Sequence, residues 1–263
     1  MPVDFKNPAL ERMRAGDVAL GMIVRLARSG DIARIARSTG HDFIFIDGQH
    51  ALFSLETIGH IAQVALGCGV APLVRVLSCD DPTVPLVLDN GATGIVFPDI
   101  GTAAQAKRAV DACKFAPVGR RSVSGSYPHF DFRAVPLAES IVAFNASTLV
   151  VCMIETVEGI ANIEDIAAVD GVDVLHVGCN DLLTDMKKPG QFGCPEILAA
   201  VDRVIAACKS HGKFAGVGGD RDVGRQGEFV RKGVRFVTTH SDIGFMMAAA
   251  SQKTGEIRKA LKA

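Results

Sequence analysis

The sequence lacks an excess of charge of either sign, since 28 lysines and arginines stand against 29 aspartates and glutamates and leave a formal charge of −1. Such a balance offers no electrostatic match to nucleic acid or to an anionic membrane surface. No apolar run reaches membrane-spanning length, and the first residues, MPVDFKNPALERMRAG, contain no apolar signal core. These absences predict a soluble, cytoplasmic protein with no nucleic-acid partner and no membrane partner.

Cysteine pairs at metal-binding or redox spacing are also missing. The seven cysteines are scattered along the chain, and none of them forms a CxxC pair. An odd, dispersed set of this kind is typical of buried thiols in a reducing compartment. We therefore expect neither a disulfide framework nor a zinc–thiolate site.

What the chain does contain is a regular alternation of short aliphatic runs with amphipathic stretches. Strict alternation is typical of a parallel sheet, and eight units favour a closed (β/α)₈ TIM barrel over an open sheet. At 263 residues, 48% of them hydrophobic, the chain is predicted to form a single domain over residues 1–263. The predicted strands are residues 18–24, 43–47, 72–76, 94–97, 148–155, 172–178, 213–218 and 235–240.

One connection is much longer than the others. Residues 116–147, between the fourth and fifth predicted strands, are rich in Gly, Ser, Pro and Arg around the middle of the segment. A connection of this length inside a compact domain is usually functional. We expect a lid or a substrate-binding loop, or else an additional helix.

Polar residues gather where the predicted strands end. Asp47 and His50 follow strand two, Arg75 lies near the end of strand three, Glu155 closes strand five and Asp181 follows strand six. The carboxyl ends of barrel strands converge on one mouth, so these side chains should meet there. Two carboxylates with room for water suit Mg²⁺ or Mn²⁺ better than zinc. Such an ion would act as a Lewis acid towards a bound 2-oxo acid.

Four motifs around these residues carry a family resemblance. The series IDGQH, LVRV, MIET and VGCNDL, together with GRRS at 119–122 and DNG at 89–91, resembles the metal-dependent, class II pyruvate aldolases. The resemblance is to the group that includes 4-hydroxy-2-oxoheptanedioate aldolases, 2-keto-3-deoxy sugar-acid aldolases and macrophomate synthase, and it runs from about residue 17 to about residue 250. It implies a phosphoenolpyruvate/pyruvate-type barrel that reversibly cleaves a 4-hydroxy-2-oxo acid to pyruvate, or hydroxypyruvate, and an aldehyde.

The same resemblance implies roles for individual residues. Glu155 and Asp181 would bind the divalent metal, which is Mg²⁺ or Mn²⁺, with Co²⁺ as a further candidate. His50 would be the catalytic acid/base, held by Asp47, and Arg75 would stabilise the keto or enolate oxygen.

The remaining implied roles concern substrate binding and assembly. Gly178, Cys179 and Asn180 would meet the substrate carboxylate at a helix start, and Arg121 would contact substrate. Asp89 matches an aspartate that reaches the neighbouring subunit's site, near the histidine. The expected assembly is a homo-oligomer, either a trimer or a hexamer built as a trimer of dimers.

The sequence departs from the usual pattern of this group at several positions near the predicted mouth. Gln49 stands where many members have Glu, which removes a negative charge beside His50, and Met153 stands where several have Gln. VGCND replaces the commoner VGPAD, and GVGGD at 216–220 replaces a more apolar strand ending. These changes bear mainly on the identity of the aldehyde.

Each candidate also has a purely structural interpretation. Glu155 and Asp181 suit helix N-termini, and His50 suits a surface loop. Arg75 and Arg121 suit structural ion pairs or loop bracing, Asp47 suits a backbone bond, and Asp89 suits a turn. His240, at the end of strand eight near Asp242, is a further candidate.

Two other functions fit parts of the pattern. A phosphate-handling barrel isomerase or lyase would use the glycine-rich 217–220 segment, but it leaves Glu155 and Asp181 without a role. A non-catalytic barrel would keep the fold for binding alone, and the retention of both carboxylates speaks against it.

Overall fold

The computed structural model describes residues 5–262, and within them eight parallel strands close into a barrel in the order of the sequence. The predicted (β/α)₈ fold is therefore confirmed. The strands are β1 Ala19–Val24, β2 Phe43–Asp47, β3 Ala71–Arg75, β4 Gly94–Phe97, β5 Leu149–Ile154, β6 Val174–Gly178, β7 Phe214–Gly218 and β8 Val234–Ser241.

Helices follow the strands on the outside of the barrel. Their boundaries lie close to the predicted amphipathic stretches, with one 3₁₀ turn at Pro128–Phe130. No helix within residues 5–262 combines the length and apolar character needed to cross a membrane. The α-helices are α1 Pro8–Arg14, α2 Asp31–Ser38, α3 Leu55–Cys68, α4 Val84–Asp89, α5 Ala103–Cys113, α6 Leu137–Ser147, α7 Val157–Ala161, α8 Ile163–Ala167, α9 Cys179–Asp185, α10 Pro195–Ser210, α11 Val223–Lys232 and α12 Asp242–Ala260.

Two apolar cores hold the fold, because every strand is covered on both faces. Alternate strand residues point into the barrel, where Phe43 and Phe236 stack with their ring centroids 4.2 Å apart. Gly21 leaves the room for this stack, since a Cβ there would lie 1.9 Å from the Phe43 ring. The other set of strand residues packs against the helices. The alternation fixes which side chains can reach the mouth.

Helix α1 was not predicted from the sequence. Asn7 caps it by accepting from the backbone N–H of Leu10, and Pro8 occupies its first turn. The Asn7 side-chain amide also donates to the carbonyl oxygens of Thr93 and Ser147, at 3.0 Å each. The apolar face of α1 closes the amino end of the barrel. An Asn-Pro pair is a helix-start signal, so this helix was readable from the sequence.

The expectation that residues 116–147 form a lid or substrate loop is wrong within this chain. The segment leads into the amino end of β5, at the opposite end of the barrel from the mouth. Its aromatic side chains form a separate small core with Phe5, and its second part is the helix α6. The alternative of an additional helix is the one that the structure contains.

The connections that follow β5 and β6 are also helical. Directly after β6 the chain begins the helix α9. After β5 it forms two short helices that meet at Asn162. The arrangement after β6 matters for function, because α9 places Asp181 in its first turn, directly beyond the end of β6.

Candidate active site

A cavity of about 270 Å³ opens at the carboxyl end of the barrel. All of the predicted site residues line it except Asp89, Arg121 and the further candidate His240. The predicted residues that line it are Asp47, His50, Arg75, Glu155, Gly178, Cys179, Asn180 and Asp181. Convergence of the strand ends therefore brings together residues that are up to 134 positions apart in the sequence, as Asp47 and Asp181 are.

On the β2–β3 side of the cavity, Asp47 and Arg75 form a buried pair. The two residues are register partners at the ends of adjacent strands. Arg75 Nε donates to Asp47 Oδ1 at 2.9 Å, and Arg75 Nη2 lies 2.8 Å from Oδ2. This two-point contact fixes the plane of the guanidinium. The remaining nitrogen, Nη1, lies 3.9 Å from the sulfur of Met153.

The same carboxylate also organises the turn that carries His50. Oδ1 of Asp47 accepts from the backbone N–H groups of Gln49 and His50, at 3.2 and 3.1 Å. Asp47 therefore holds His50 through the backbone N–H of that residue. Arg25 adds a second cation, with Nε 3.3 Å from Asp47 Oδ2 and Nη2 donating to the His50 carbonyl at 3.1 Å.

Electrostatics on this side favour the ionised acid. Burial alone would raise the pKa of Asp47, but the hydrogen bond and charge of Arg75, with the His50 backbone N–H, outweigh burial and lower that pKa. Asp47 is fully buried and carries its charge at neutral pH. It is a fixed anchor for Arg75 and for the turn that follows.

The β5–β6 side of the cavity has the opposite character. Glu155 is 4% exposed, and within residues 5–262 the one hydrogen bond to its carboxylate comes from the backbone N–H of Asp99, at 3.2 Å. Burial, together with the negative charges of Asp181 and Asp99, raises the pKa of Glu155 to about 7 against that hydrogen bond. In the described part of the chain, two carboxylates without a paired cation therefore face the same cavity.

Glycine makes this arrangement possible. A Cβ on Gly178 would lie 2.3 Å from Glu155 Oε1, so only glycine at the end of β6 leaves space for the carboxylate. The next residue, Cys179, does not compete as an anionic ligand, because burial raises the pKa of its thiol to about 12.

The donor set fits an open divalent-metal site. Within residues 5–262, no group of three or more His, Cys, Asp or Glu side chains is placed to enclose a metal ion. Two hard carboxylates that lack a cation, one of them buried, suit a hard cation that keeps further positions for water and substrate. The protein would thus supply two ligands and leave the others to small molecules.

Four cavity residues were missed by the sequence reasoning. Arg25 directly follows β1 and Arg221 follows β7, so the strand-end rule that identified Asp47 also applies to them. His176 and Thr238 lie inside β6 and β8, at inward-facing positions of the alternation. The sequence signal for these two residues is the alternation of β6 and β8, which places them on the inward face of each strand.

Three candidates lie elsewhere. Asp89 and Arg121 bind each other at the amino end of the barrel, with Arg121 Nη2 donating to Asp89 Oδ1 at 2.6 Å. The Arg121 guanidinium is packed over Phe115 and Phe144, so it does not reach the cavity of its own chain. His240 lies outside the cavity lining, and its Nδ1 accepts from the backbone N–H of Ser241.

Comparison with known proteins finds several relatives that are described as aldolases. The profile of the family described as HpcH/HpaI aldolase/citrate lyase matches residues 21–249. A 4-hydroxy-4-methyl-2-oxoglutarate aldolase of Chaetomium globosum is 38% identical over 96% of this chain and 96% of its own length. A hydroxypyruvate/pyruvate aldolase of Pseudomonas aeruginosa is 30% identical over 96% of this chain and 93% of its own length. The crystal structure of an HpcH/HpaI aldolase from Desulfitobacterium hafniense DCB-2 superposes with a TM-score of 0.90, at 29% identity over 94% of this chain and 95% of that one.

Proposed function

The chain belongs to the HpcH/HpaI aldolase/citrate lyase family, and from this membership and the barrel mouth we propose that it is a metal-dependent aldolase. It cleaves a 4-hydroxy-2-oxo acid reversibly to pyruvate, or hydroxypyruvate, and a second carbonyl compound. The observation that carries the proposal is the asymmetry of the cavity. A fixed arginine stands on one side, and two carboxylates without a cation stand on the other.

Glu155 and Asp181 are the proposed metal ligands. When bound, a divalent cation such as Mg²⁺ or Mn²⁺ supplies positive charge that polarises the keto group of the 2-oxo acid. The stretch Gly178–Asn180 borders the cavity beside these acids. Its backbone N–H groups are the proposed donors to the substrate carboxylate.

Arg75 is the proposed stabiliser of the enolate. Cleavage of the bond between C3 and C4 leaves an electron pair that becomes an enolate, whose negative charge rests largely on the C2 oxygen. Asp47 fixes Nε and Nη2 of Arg75 by its two-point contact, so Nη1 is the nitrogen left to face this oxygen. A preorganised donor of this kind costs no reorganisation at the moment of reaction.

His50 is the proposed base. In the cleavage direction the 4-hydroxyl group loses a proton as its carbon becomes a carbonyl, and an imidazole at the cavity rim is suited to accept it. His50 is exposed, and both of its backbone polar groups are fixed, by Asp47 and by Arg25. The turn is thus anchored while the ring stays free to meet substrate.

Arg221 is the proposed contact for a second carboxylate. Its Nη1 donates only to the carbonyl oxygens of Thr238 and Thr239, at 3.2 and 2.8 Å, so it has no acidic partner within residues 5–262. The Chaetomium relative is named for a substrate with two carboxylates. A cation without an anion on the cavity wall suits a substrate of that class.

The phosphate-handling alternative is less consistent with the β7 loop. Its glycine-rich segment ends in Asp220, a buried acid that accepts from Arg225 Nε and Nη2 at 2.6 and 2.9 Å. This pair neutralises Arg225 and keeps a buried acid within the loop, where it would repel a phosphate. We therefore retain the aldolase as the proposed function.

A direct assay tests the proposal. The protein is incubated with Mg²⁺ and 4-hydroxy-4-methyl-2-oxoglutarate or another 4-hydroxy-2-oxo acid, and the release of pyruvate is followed by reduction with lactate dehydrogenase and NADH. Release that stops with excess chelator and resumes with added metal is the expected result. Release that continues unchanged in excess chelator, or no release from any 4-hydroxy-2-oxo acid with any divalent metal, would overturn it.

A further inference from the structure

The floor of the cavity is polar where a barrel interior is normally filled with apolar side chains. His176 is 1% exposed and lines the cavity, and its enclosed Nδ1 has no hydrogen-bond partner within residues 5–262. Thr238 is equally buried and also lines the cavity, and its hydroxyl oxygen has no partner in the same part of the chain. Buried polar groups in proteins are nearly always hydrogen-bonded, so the Thr238 hydroxyl, beside an imidazole at the same cavity, indicates a ligand.

The Thr238 hydroxyl and the His176 ring lie close together beside Gly218 of β7. A Cβ placed on Gly218 would lie 2.4 Å from Thr238 Oγ1 and 2.7 Å from His176 Nε2. A Cβ on Gly216 would meet His176 Nδ1, also at 2.7 Å. The imidazole therefore extends across β7, over two positions that carry no side chain. Gly218, beside Nε2, lines the cavity and Gly216, beside Nδ1, does not, so Nε2 is the nitrogen nearer to the cavity.

The ring is uncharged in this setting. Burial, followed by the positive charges of Arg75 and Arg221, lowers the pKa of His176 to about 3. A neutral imidazole has one donor nitrogen and one acceptor nitrogen. A hydroxyl group can both donate and accept, so it can form a hydrogen bond with Nε2 in either tautomer. The methyl group of pyruvate can form none.

The position of His176 and Thr238 in the cavity indicates which substrate atom they would contact, the third carbon of the 2-oxo acid. Arg75, Glu155 and Asp181 come from β3, β5 and the start of α9, and under the proposed function they face the oxygens on C1 and C2 of the 2-oxo acid. Under the same proposal the third carbon lies on the side of the substrate away from these residues, and we place it towards β7 and β8, the strands that follow β6 around the barrel. That is where Gly218 leaves space beneath the cavity.

We propose that His176, with Thr238 beside it, forms a subsite for a hydroxyl group on C3 of the donor, so that 3-hydroxy-2-oxo acids such as hydroxypyruvate are preferred over pyruvate. This inference rests on the proposed aldolase function, whose donor it specifies. His176 is a specificity-determining residue here and takes no part in bond cleavage. Gly218 is its necessary companion, because any side chain there would occupy the subsite.

Binding and proton exchange test the preference without knowledge of the second substrate. Calorimetry with Mg²⁺ gives the Kd of hydroxypyruvate and of pyruvate, and NMR in D₂O follows deuterium uptake at C3 of each. The wild-type protein should bind hydroxypyruvate more tightly. His176→Leu should raise the Kd of hydroxypyruvate about ten- to hundredfold and change the Kd of pyruvate less than about twofold, since the buried hydroxyl of hydroxypyruvate would lose its partner.

Matched variants separate this role from a structural one. His176→Gln keeps hydrogen-bonding groups and should retain part of the preference, and Thr238→Val should reduce it. His41 is a second buried histidine, but Thr39 and Thr239 bond both of its nitrogens. His41→Gln should lower the Tm and leave the preference unchanged, whereas His176→Leu, which removes an unpartnered nitrogen, should not lower the Tm.

The outcomes are distinguishable. A wild-type protein that exchanges protons of pyruvate but shows no preference for hydroxypyruvate would overturn the subsite alone. Equal losses for both donors in His176→Leu would do the same and assign the residue to packing. If neither donor binds or exchanges with any divalent metal, the proposed aldolase function itself fails.

Discussion

Two buried carboxylates on different sides of the barrel mouth experience opposite environments. Asp47 accepts from Arg75 and from two backbone N–H groups, and these contacts lower its pKa. Glu155 accepts from one backbone N–H and faces Asp181, and its pKa rises to about 7. The two acids are almost equally buried, so the difference is due to their partners and not to their depth.

This difference separates anchoring from binding. A buried acid whose charge is already paired with arginines acts by fixing other groups. A buried acid that lacks a cation is unfavourable by itself and becomes favourable when a cation is supplied. Asp47 is thus assigned to positioning, and Glu155 is assigned to ligand binding.

The largest effect should come from removing the carboxylates that lack a cation. Glu155→Gln and Asp181→Asn should each weaken binding of Mg²⁺ or Mn²⁺ and lower the aldol rate by several orders of magnitude, because the charge that attracts the ion is lost. Equilibrium dialysis measures the metal and the pyruvate assay measures the rate. Glu158→Gln, on the exposed side of α7, is the matched control and should change neither.

A smaller loss is expected at the rim. His50→Ala should lower aldol cleavage about 10²–10⁴-fold, since the 4-hydroxyl proton loses its acceptor. Decarboxylation of oxaloacetate yields the same pyruvate enolate but requires no removal of a hydroxyl proton, so it should largely persist. Both reactions are measured on one preparation. Equal losses in the two would show that His50 organises the site and is not the base.

The Asp47–Arg75 pair can be tested by measuring whether the effects of substituting its two members are coupled. Arg75→Lys should lower both aldol cleavage and decarboxylation, on the order of 10²–10³-fold, because lysine cannot make the two-point contact and still stabilise the enolate. If Asp47 acts by fixing Arg75, then Asp47→Asn combined with Arg75→Lys should cost little more than Arg75→Lys alone. Strictly additive losses would instead give Asp47 a role independent of Arg75.

The sequence predicted several polar residues at or just beyond the strand ends, missed Arg25 and Arg221 at other strand ends, and missed both polar residues that lie deeper. Asp47, Arg75, Glu155 and Asp181 were identifiable because strand ends converge in any barrel. His176 was not identified, because whether an inward polar residue is partnered depends on neighbours from other strands, here the glycines of β7. That dependence is a property of packing, which a single sequence does not display.

Topology explains the error over the long connection. Composition correctly marked residues 116–147 as unusual, but a segment that joins a helix to the next strand ends at the amino side of the barrel. A lid over this chain's own mouth would have to follow a strand instead. The predicted contact of Asp89 with a neighbouring subunit's site, and the hexamer that it implies, stay predictions. Asp89 binds Arg121 at that same end, where Arg121 Nε and Nη1 have no partner within residues 5–262.

The smallest expected effect concerns stability of the metal-free protein. The pKa of Glu155 rises from an ordinary value of 4.5 to about 7 on folding. The folded state therefore holds this proton more tightly, and its stabilising contribution is complete below pH 4.5 and is lost as the pH rises through 7. Glu155→Gln keeps the neutral form at every pH. The free energy of unfolding of this variant should match that of the wild type near pH 4.5 and exceed it by about 1–3 kcal/mol at pH 8.

The contribution of Asp47 to stability should depend on pH in the opposite sense to that of Glu155, so each acid serves as the control for the other. Because folding lowers the pKa of Asp47, its contribution is present above the unfolded value and is lost as the pH falls through the folded one. Asp47→Asn should therefore be less stable than the wild type near neutral pH and converge with it in acid. Urea unfolding of both variants between pH 3 and pH 8, in excess chelator, measures the two trends. Parallel curves for the two variants would mean that the acids differ in exposure to water rather than in their partners.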